Sequence, residues 1–273
     1  TLFVSDQKNH RVGIFTTSSM IDDVPMRDVI GHTDYSGGTR SFTASAPNSP
    51  NESNLNTPNF SVADTTNNRL YVSDTKNNRI LIYPLDPSTF KPLSSLATGV
   101  LGIPLFSLNS WQMIDIPQDA TPYAVNADTL NAPRGLALDQ YNRLWVADSG
   151  NNRVLRYNLT AFNTSAPVVK LKADFVLGIN NLTSAGVTLS TPYGIAYDSS
   201  SDRLFITNSG SSTIAIYDLI NSLTLSNNTN PTRVLNSGAT VAKQLGTPRG
   251  IKFVPSTSAY LPSSILVADE LTH

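Results

Sequence analysis

The residues that first invite a chemical reading are "DSGNNR" at Asp148–Arg153, with close copies "DTKNNR" at Asp74–Arg79 and "DQKNHR" at Asp6–Arg11. An acid followed at short spacing by other polar groups offers oxygen ligands of the kind a hard cation such as calcium takes. The same residue types also build hairpin turns, because Asp and Asn side chains bond local backbone and tolerate left-handed geometry. A fourth version, "NSGSST" at Asn208–Thr213, has lost both the acid and the arginine. That loss suits a turn better than an array of metal sites. Arg79 and Arg153 are placed to reach back to the turn acids or to neighbouring carbonyls. The motif is therefore read as scaffolding, and neither a metal nor a cofactor is assigned to it.

The elements that carry these turns follow from their flanks. Residues 132–157 read "APRGLALDQYNRLWVADSGNNRVLRY", 57–83 read "TPNFSVADTTNNRLYVSDTKNNRILIY", and 191–217 read "TPYGIAYDSSSDRLFITNSGSSTIAIY". The equivalent position runs through Asp6, Asp74, Asp148, Asn208 and Asp269, at steps of roughly 60 to 74 residues. Self-similarity at such a period marks a repeat architecture. Each unit holds three short runs with strand character, "PRGLALD", "RLWVAD" and "RVLRY" in one copy, and a fourth after a variable gap. The fourth runs are "DVIG" at 28–31, "GVLG" at 99–102, "FVLG" at 175–178 and "RVLN" at 233–236. Four strands per unit without helical periodicity predict the blades of a β-propeller. In the second strand Leu144 and Val146 face one side while Trp145 and Ala147 face the other. Phe3, Tyr71, Phe205 and Leu266 stand where Trp145 stands. A strand apolar on both faces is covered on both, which places Trp145 in the core.

The combination of Pro-x-Gly, then V-A-D, then N-N-R resembles the NHL repeat, and the resemblance extends over essentially the whole chain, with long inserts between units. It implies an all-β propeller of four-stranded antiparallel blades. About five blade units are visible, the first and last incomplete. Residues 1–273 read as a single NHL-type domain excerpted from a longer chain, with inter-blade inserts at 32–56 and 103–131. Unfinished end units imply either further chain or an open edge that meets another subunit, since open sheet edges invite association. Members of the family range from RNA binders and protein scaffolds to secreted lyases and lactonase-like enzymes. The resemblance thus implies a fold and leaves the function open.

Composition narrows the choice. Charged residues make up 14% of the chain, against an average of about 25%. The net charge is −1 and no Lys/Arg cluster occurs, which argues against a nucleic-acid surface. No apolar run approaches the roughly 20 residues of a membrane span. There are no cysteines, so neither a disulfide framework nor a cysteine-ligated zinc is available.

If repeated residues are architecture, function belongs to the departures. The residue after each unit's proline differs from blade to blade: Asn59, Arg134, Tyr193 and Arg249. These positions are expected near the mouth of the central channel. Two arginines there suit a carboxylate, phosphate or acidic sugar, and an ordinary polar lining is the plainer reading. The second insert holds Phe106, Trp111 and Tyr123, which anchor a partner or fold the loop back over the blades. N-x-S/T sequons occur at Asn51, Asn59, Asn158, Asn163, Asn181 and Asn227, no more than chance gives. Asn51, Asn158, Asn163, Asn181 and Asn227 fall where a glycan is tolerated, whereas Asn59 opens an inner strand. Catalytic candidates are sparse. His10, His32 and His273 lie apart, Asp64, Asp139 and Asp198 recur at one structural position, and nucleophile and phosphate-loop motifs are absent. The expectation is a non-enzymatic, extracellular, glycosylated structural or interaction module with a protein or glycan partner, or one that self-assembles. The alternatives are a metal-dependent propeller enzyme of the lactonase or amidating-lyase kind and an intracellular protein- or RNA-binding scaffold.

Overall fold

The structure, a computed structural model, describes residues 1–16, 26, 28–31, 52–102, 124–161, 171–179, 181–186, 188–219, 230–236, 245–256 and 263–270. Every regular element among them is a β-strand or a short 3-10 turn. They fall into two compact units.

The first unit holds two sheets. One has three strands, β1 (Leu2–Asp6), β2 (Arg11–Phe15) and β3 (Asp28–Ile30). The other is a full blade of β4 (Pro58–Asp64), β5 (Arg69–Asp74), β6 (Arg79–Pro84) and β7 (Gly99–Leu101). The second unit holds two full blades and a shorter sheet. The blades are β8 (Pro133–Leu138), β9 (Arg143–Asp148), β10 (Arg153–Asn158) and β11 (Phe175–Leu177), then β12 (Pro192–Asp198), β13 (Arg203–Asn208), β14 (Thr213–Asp218) and β15 (Arg233–Asn236). β16 (Thr247–Val254) and β17 (Ser264–Glu270) form a two-stranded sheet among the described residues. All pairings are antiparallel and sequential. The fold class is therefore the expected one: all-β, in four-stranded antiparallel blades of the propeller kind, with the predicted fourth runs forming β3, β7, β11 and β15.

The core lies between sheets within each unit. Trp145 is fully buried, meets Phe175 edge-on at 6.0 Å, and donates its indole N–H to Asp139 at 2.8 Å. Tyr71 is equally buried and Phe205 nearly so, whereas Leu266 on β17 is 62% exposed. The apolar stripe thus does its packing only where a neighbouring layer covers it.

The recurring hairpin explains itself once its bonds are followed. Asp74 and Asp148 are fully buried, and each receives the Nε–H of the arginine across the turn, Arg79 at 2.6 Å and Arg153 at 2.7 Å. The first amide of the N-N-R run, Asn77 or Asn151, donates to the same carboxylate. The arginines reach on to main-chain carbonyls, Arg79 to Asn54 and Arg153 to Leu182 and Asn126. The second residue of the run adopts left-handed geometry, with φ near 55° at His10, Asn78 and Asn152. Its side chain accepts the backbone N–H that leads into the next innermost strand. These bonds are Thr57 to His10 Nδ1, Ala132 to Asn78 and Thr191 to Asn152, at 2.8–3.0 Å. A hydrogen-bonded buried ion pair is tolerated because every charge finds a partner. The turn acid is committed to the blade.

Two substitutions separate the buried pair from its exposed copy. Arg153→Ala strands a buried carboxylate and is expected to cost about 3–5 kcal/mol. Arg11→Ala, in a pair whose side chains are 16% and 29% exposed, is expected to cost about 1 kcal/mol or less. Urea unfolding of both variants, followed by tryptophan fluorescence and circular dichroism, checks the ordering. His10→Asn restores the residue used at Asn78 and Asn152 and is expected to stay within about 0.5 kcal/mol of the parent.

Candidate ligand-binding site

The innermost strands of the second unit each carry Pro-x-Gly at or next to their first residue, and in each the register slips by a residue between the proline and the third residue on. A bulge at this point re-aims the intervening side chains away from the ladder. The glycine has its own reason. A Cβ on Gly135 would run into the Tyr193 carbonyl and lie 2.8 Å from Ile195 N, and one on Gly194 would run into the Arg249 carbonyl. Only glycine lets neighbouring innermost strands approach so closely. Thr207 Oγ1 adds a bond to the Arg249 carbonyl at 2.7 Å while accepting the Gly194 N–H at 2.7 Å.

That approach brings three of the predicted residues together. The Arg134 guanidinium lies 4.4 Å from the centre of the Tyr193 ring and that of Arg249 lies 5.2 Å from it. Arg249 also donates to the Tyr193 hydroxyl at 3.3 Å. Tyr193 is buried and the two arginines are partly exposed. A fourth residue was not foreseen from sequence: Glu270, at the end of β17, forms an ion pair with Arg249. The Tyr193 hydroxyl, followed by the Glu270 carboxylate, raises the Arg249 pKa against the opposing effect of burial. Arg249 Nε is buried without a hydrogen-bond partner among the described residues. The cluster thus sets two guanidiniums on one aromatic ring, with the Glu270 carboxylate paired to Arg249.

Asn59 lies in the first unit, donating to Thr75 Oγ1 at 2.9 Å and accepting from Gln7 at 2.8 Å. The Asp64, Asp139 and Asp198 carboxylates close turns: Asp64 takes Thr66 and Asn67, Asp139 takes Tyr141, Arg143 and Trp145, and Asp198 takes Ser200 and Ser201. Burial works to raise the Asp198 carboxyl, but the hydrogen bonds from Ser200 and Ser201 outweigh it and hold its pKa below the ordinary value. Phe106, Trp111, Tyr123, His32, His273, Asn51, Asn163 and Asn227 lie outside the described residues. Asn158 is exposed, and its carbonyl accepts both the N–H and the hydroxyl of Thr160. Asn181 makes the same pair of bonds with Thr183. A cavity of about 660 Å³ in the first unit, lined by Val4, Asp6, Gln7, Arg11, Phe15 and Met26 among others, was not anticipated. Among the described residues no three His, Cys, Asp or Glu side chains stand together as a metal site, and no helix is long and apolar enough to cross a membrane.

Residues 130–157 match the NHL repeat, the stretch that carries β8, β9 and most of β10. No curated protein matches the chain by sequence. Among solved structures, a protein from Lactobacillus plantarum is 12% identical with a TM-score of 0.53, covering 93% of this chain and 57% of that one. Virginiamycin B lyase from Staphylococcus aureus is 15% identical with a TM-score of 0.45, covering 91% and 55%. A structure titled as a nidogen/laminin complex is 14% identical with a TM-score of 0.41, covering 79% and 56%. The chain spans about half the length of these structures, and at such identity the likeness is one of fold.

The stacked arrangement makes a graded prediction. Tyr193→Leu removes the aromatic face from both guanidiniums and is expected to cost about 1–2 kcal/mol. Tyr193→Phe keeps the face, loses only the hydroxyl contact with Arg249, and is expected to cost about 1 kcal/mol or less. Gly135→Ala is expected to be the most damaging of the three, because its methyl meets backbone that cannot swing away. Thermal unfolding of the three variants beside the parent gives the order.

Proposed function

For a chain that carries an NHL repeat within blades of the propeller kind, we propose a non-enzymatic interaction module of the extracellular space. In this reading it is glycosylated, and its Arg134–Tyr193–Arg249 face receives an anionic group of a protein or glycan partner. One observation carries the proposal: two partly exposed guanidiniums, those of Arg134 and Arg249, converge on a single tyrosine ring. Guanidinium forks are suited to carboxylate, sulfate and phosphate groups. The turn acids Asp64, Asp139 and Asp198 are engaged in backbone and side-chain bonds of their own hairpins, which supports a binding role over acid–base catalysis. Asn158 supports the glycosylated part. It is exposed, at the end of β10, and its sequon threonine is already turned back onto the asparagine carbonyl.

The test has two arms. The chain is produced through a eukaryotic secretory pathway and its mass is measured before and after glycan removal. A mass above 29.4 kDa that falls on deglycosylation, with one glycan lost in Asn158→Gln, is the expected result. A bare chain overturns the glycoprotein part. In the second arm, a glucuronate-containing oligosaccharide and a polyglutamate peptide are titrated onto the protein at low and high salt. Binding that weakens with salt and falls by about tenfold or more in Arg134→Ala is expected. Absence of binding to both, or lactone or lyase turnover that is lost on chelation, overturns the module in favour of the enzyme reading.

A further inference from the structure

Three innermost strands of the second unit stand side by side. A Cβ on Gly135 of β8 would run into the Tyr193 backbone of β12, and one on Gly194 of β12 would run into the Arg249 backbone of β16. β12 therefore lies between β8 and β16. The residue that faces each bulge across the ladder is Ala147 in β9, Thr207 in β13 and Ala268 in β17. Only at the bulge that carries Tyr193 is that residue a hydroxyl. Thr207, fully buried, donates to the Arg249 carbonyl and accepts the Gly194 N–H, both at 2.7 Å. Alanine at this place has no group to make either bond. The spacing of β12 and β16 at Tyr193 and Arg249 is thereby fixed from below.

Because their strands flank β12, Arg134 and Arg249 reach the Tyr193 ring from its two sides, at 4.4 Å and 5.2 Å from its centre. Tyr193 is accordingly buried while both arginines are partly exposed. The two guanidiniums are no farther apart than those distances laid end to end, and the ring keeps them from meeting. One carboxylate makes a fork with one guanidinium. With the ring between, it does not make a fork with both. Two anionic groups several ångströms apart do. An extended polypeptide supplies that spacing directly, since the side chains of residues i and i+2 share a face and stand about 7 Å apart. Glu270 shows the Arg249 guanidinium already holding a carboxylate. A sugar ring is served less well, because the covered Tyr193 ring gives it no open aromatic face.

Building on the anion-binding reading proposed above, we infer that this face takes an extended acidic segment of a protein partner that carries two Asp or Glu residues at i and i+2. One carboxylate meets Arg134. The other takes the place of the Glu270 carboxylate on Arg249, and the Glu270 side chain, 59% exposed, turns to solvent. Joining the two acids on one backbone makes the second contact intramolecular, so the pair binds more tightly than either acid alone.

The probes are three blocked peptides of equal length, GGEGEGG, GGEEGGG and GGEGGGG, titrated at low salt onto the whole isotope-labelled chain and followed by its amide and guanidinium NMR signals. The expected result is binding of GGEGEGG about tenfold or more tighter than of the other two, with shifts centred on Arg134, Tyr193 and Arg249. Arg134→Gln is expected to abolish that preference and leave the affinity of the single-acid peptide, with unchanged circular dichroism verifying the fold. Glu270→Gln removes the carboxylate to be displaced and is expected to tighten GGEGEGG. Equal affinity for the three peptides, or a preference that survives Arg134→Gln, overturns the inference and leaves the anion-binding reading standing. A glucuronate-containing oligosaccharide that binds more tightly than GGEGEGG also overturns it, assigning the face to a glycan. Absence of binding to every probe overturns both the inference and the reading beneath it.

Discussion

A carboxylate and a guanidinium, both withdrawn from water at the tip of a hairpin, hold the parts of the β4–β7 and β8–β11 blades in register. Burying two charges is costly unless each remaining lone pair and proton is matched. At Asp148 and Arg153 the matching is nearly complete: Asn151 completes the acid, and the carbonyls of Asn126 and Leu182 complete the guanidinium. The pair therefore fixes more than its own turn. It fixes chain upstream of the blade and chain downstream of it, because those carbonyls are its partners. Where the pair is replaced by Asn208 and Thr213 the same hairpin persists with neutral groups, so the geometry needs complementarity at this position more than it needs charge.

The second consequence runs from hairpin to innermost strand. Thr57, Ala132 and Thr191 precede a proline and have φ of 54°, 48° and 50°. A residue other than glycine in the left-handed region is uncommon, and a β-branched one such as Thr57 or Thr191 is strained there. It persists because the amide of each is captured by the side chain that ends the preceding hairpin, His10, Asn78 or Asn152. The strained entry and the following bulge together set the direction in which the residue after proline leaves the sheet. The position of Tyr193 thus depends on Asn152, one blade earlier.

Much of this was legible in the sequence. The strand runs, the repeat of the acid position and the burial of Trp145 all follow from periodicity and turn chemistry, since those features recur where the same physics recurs. The reach of Arg79 and Arg153 to acids and carbonyls was legible for the same reason. What escaped was set by register. Glu270 lies one residue beyond the repeated acid, and nothing in its own neighbourhood marks it as the partner of Arg249; only the pairing of Thr247 with Glu270 brings it there. Asn59, equivalent to Arg134 and Tyr193 by alignment, bonds through both ends of its amide to Gln7 and Thr75, a pairing that the alignment does not show. The left-handed threonines carry no local signal at all, because threonine is a poor choice for that geometry and only the bond from the previous hairpin explains it.

The contrast between repeated and departing residues has an electrostatic meaning. Repeated charges occur as opposite pairs, so a blade adds little net field however many it contains. The departing arginines Arg134 and Arg249 differ in that both lie against the Tyr193 ring. For the anionic partner proposed above, Glu270 is a competitor already in place: that group bridges Arg134 and Arg249 across the Tyr193 ring or displaces the carboxylate seated on Arg249. A singly charged group of that partner, presented by a flexible segment, gains little from that exchange. A strongly acidic or multiply charged group gains more, because it engages both guanidiniums while Glu270 turns outward to solvent, where its side chain is already more than half exposed. Selectivity at such a face comes from the competition within the site as much as from the attraction it exerts.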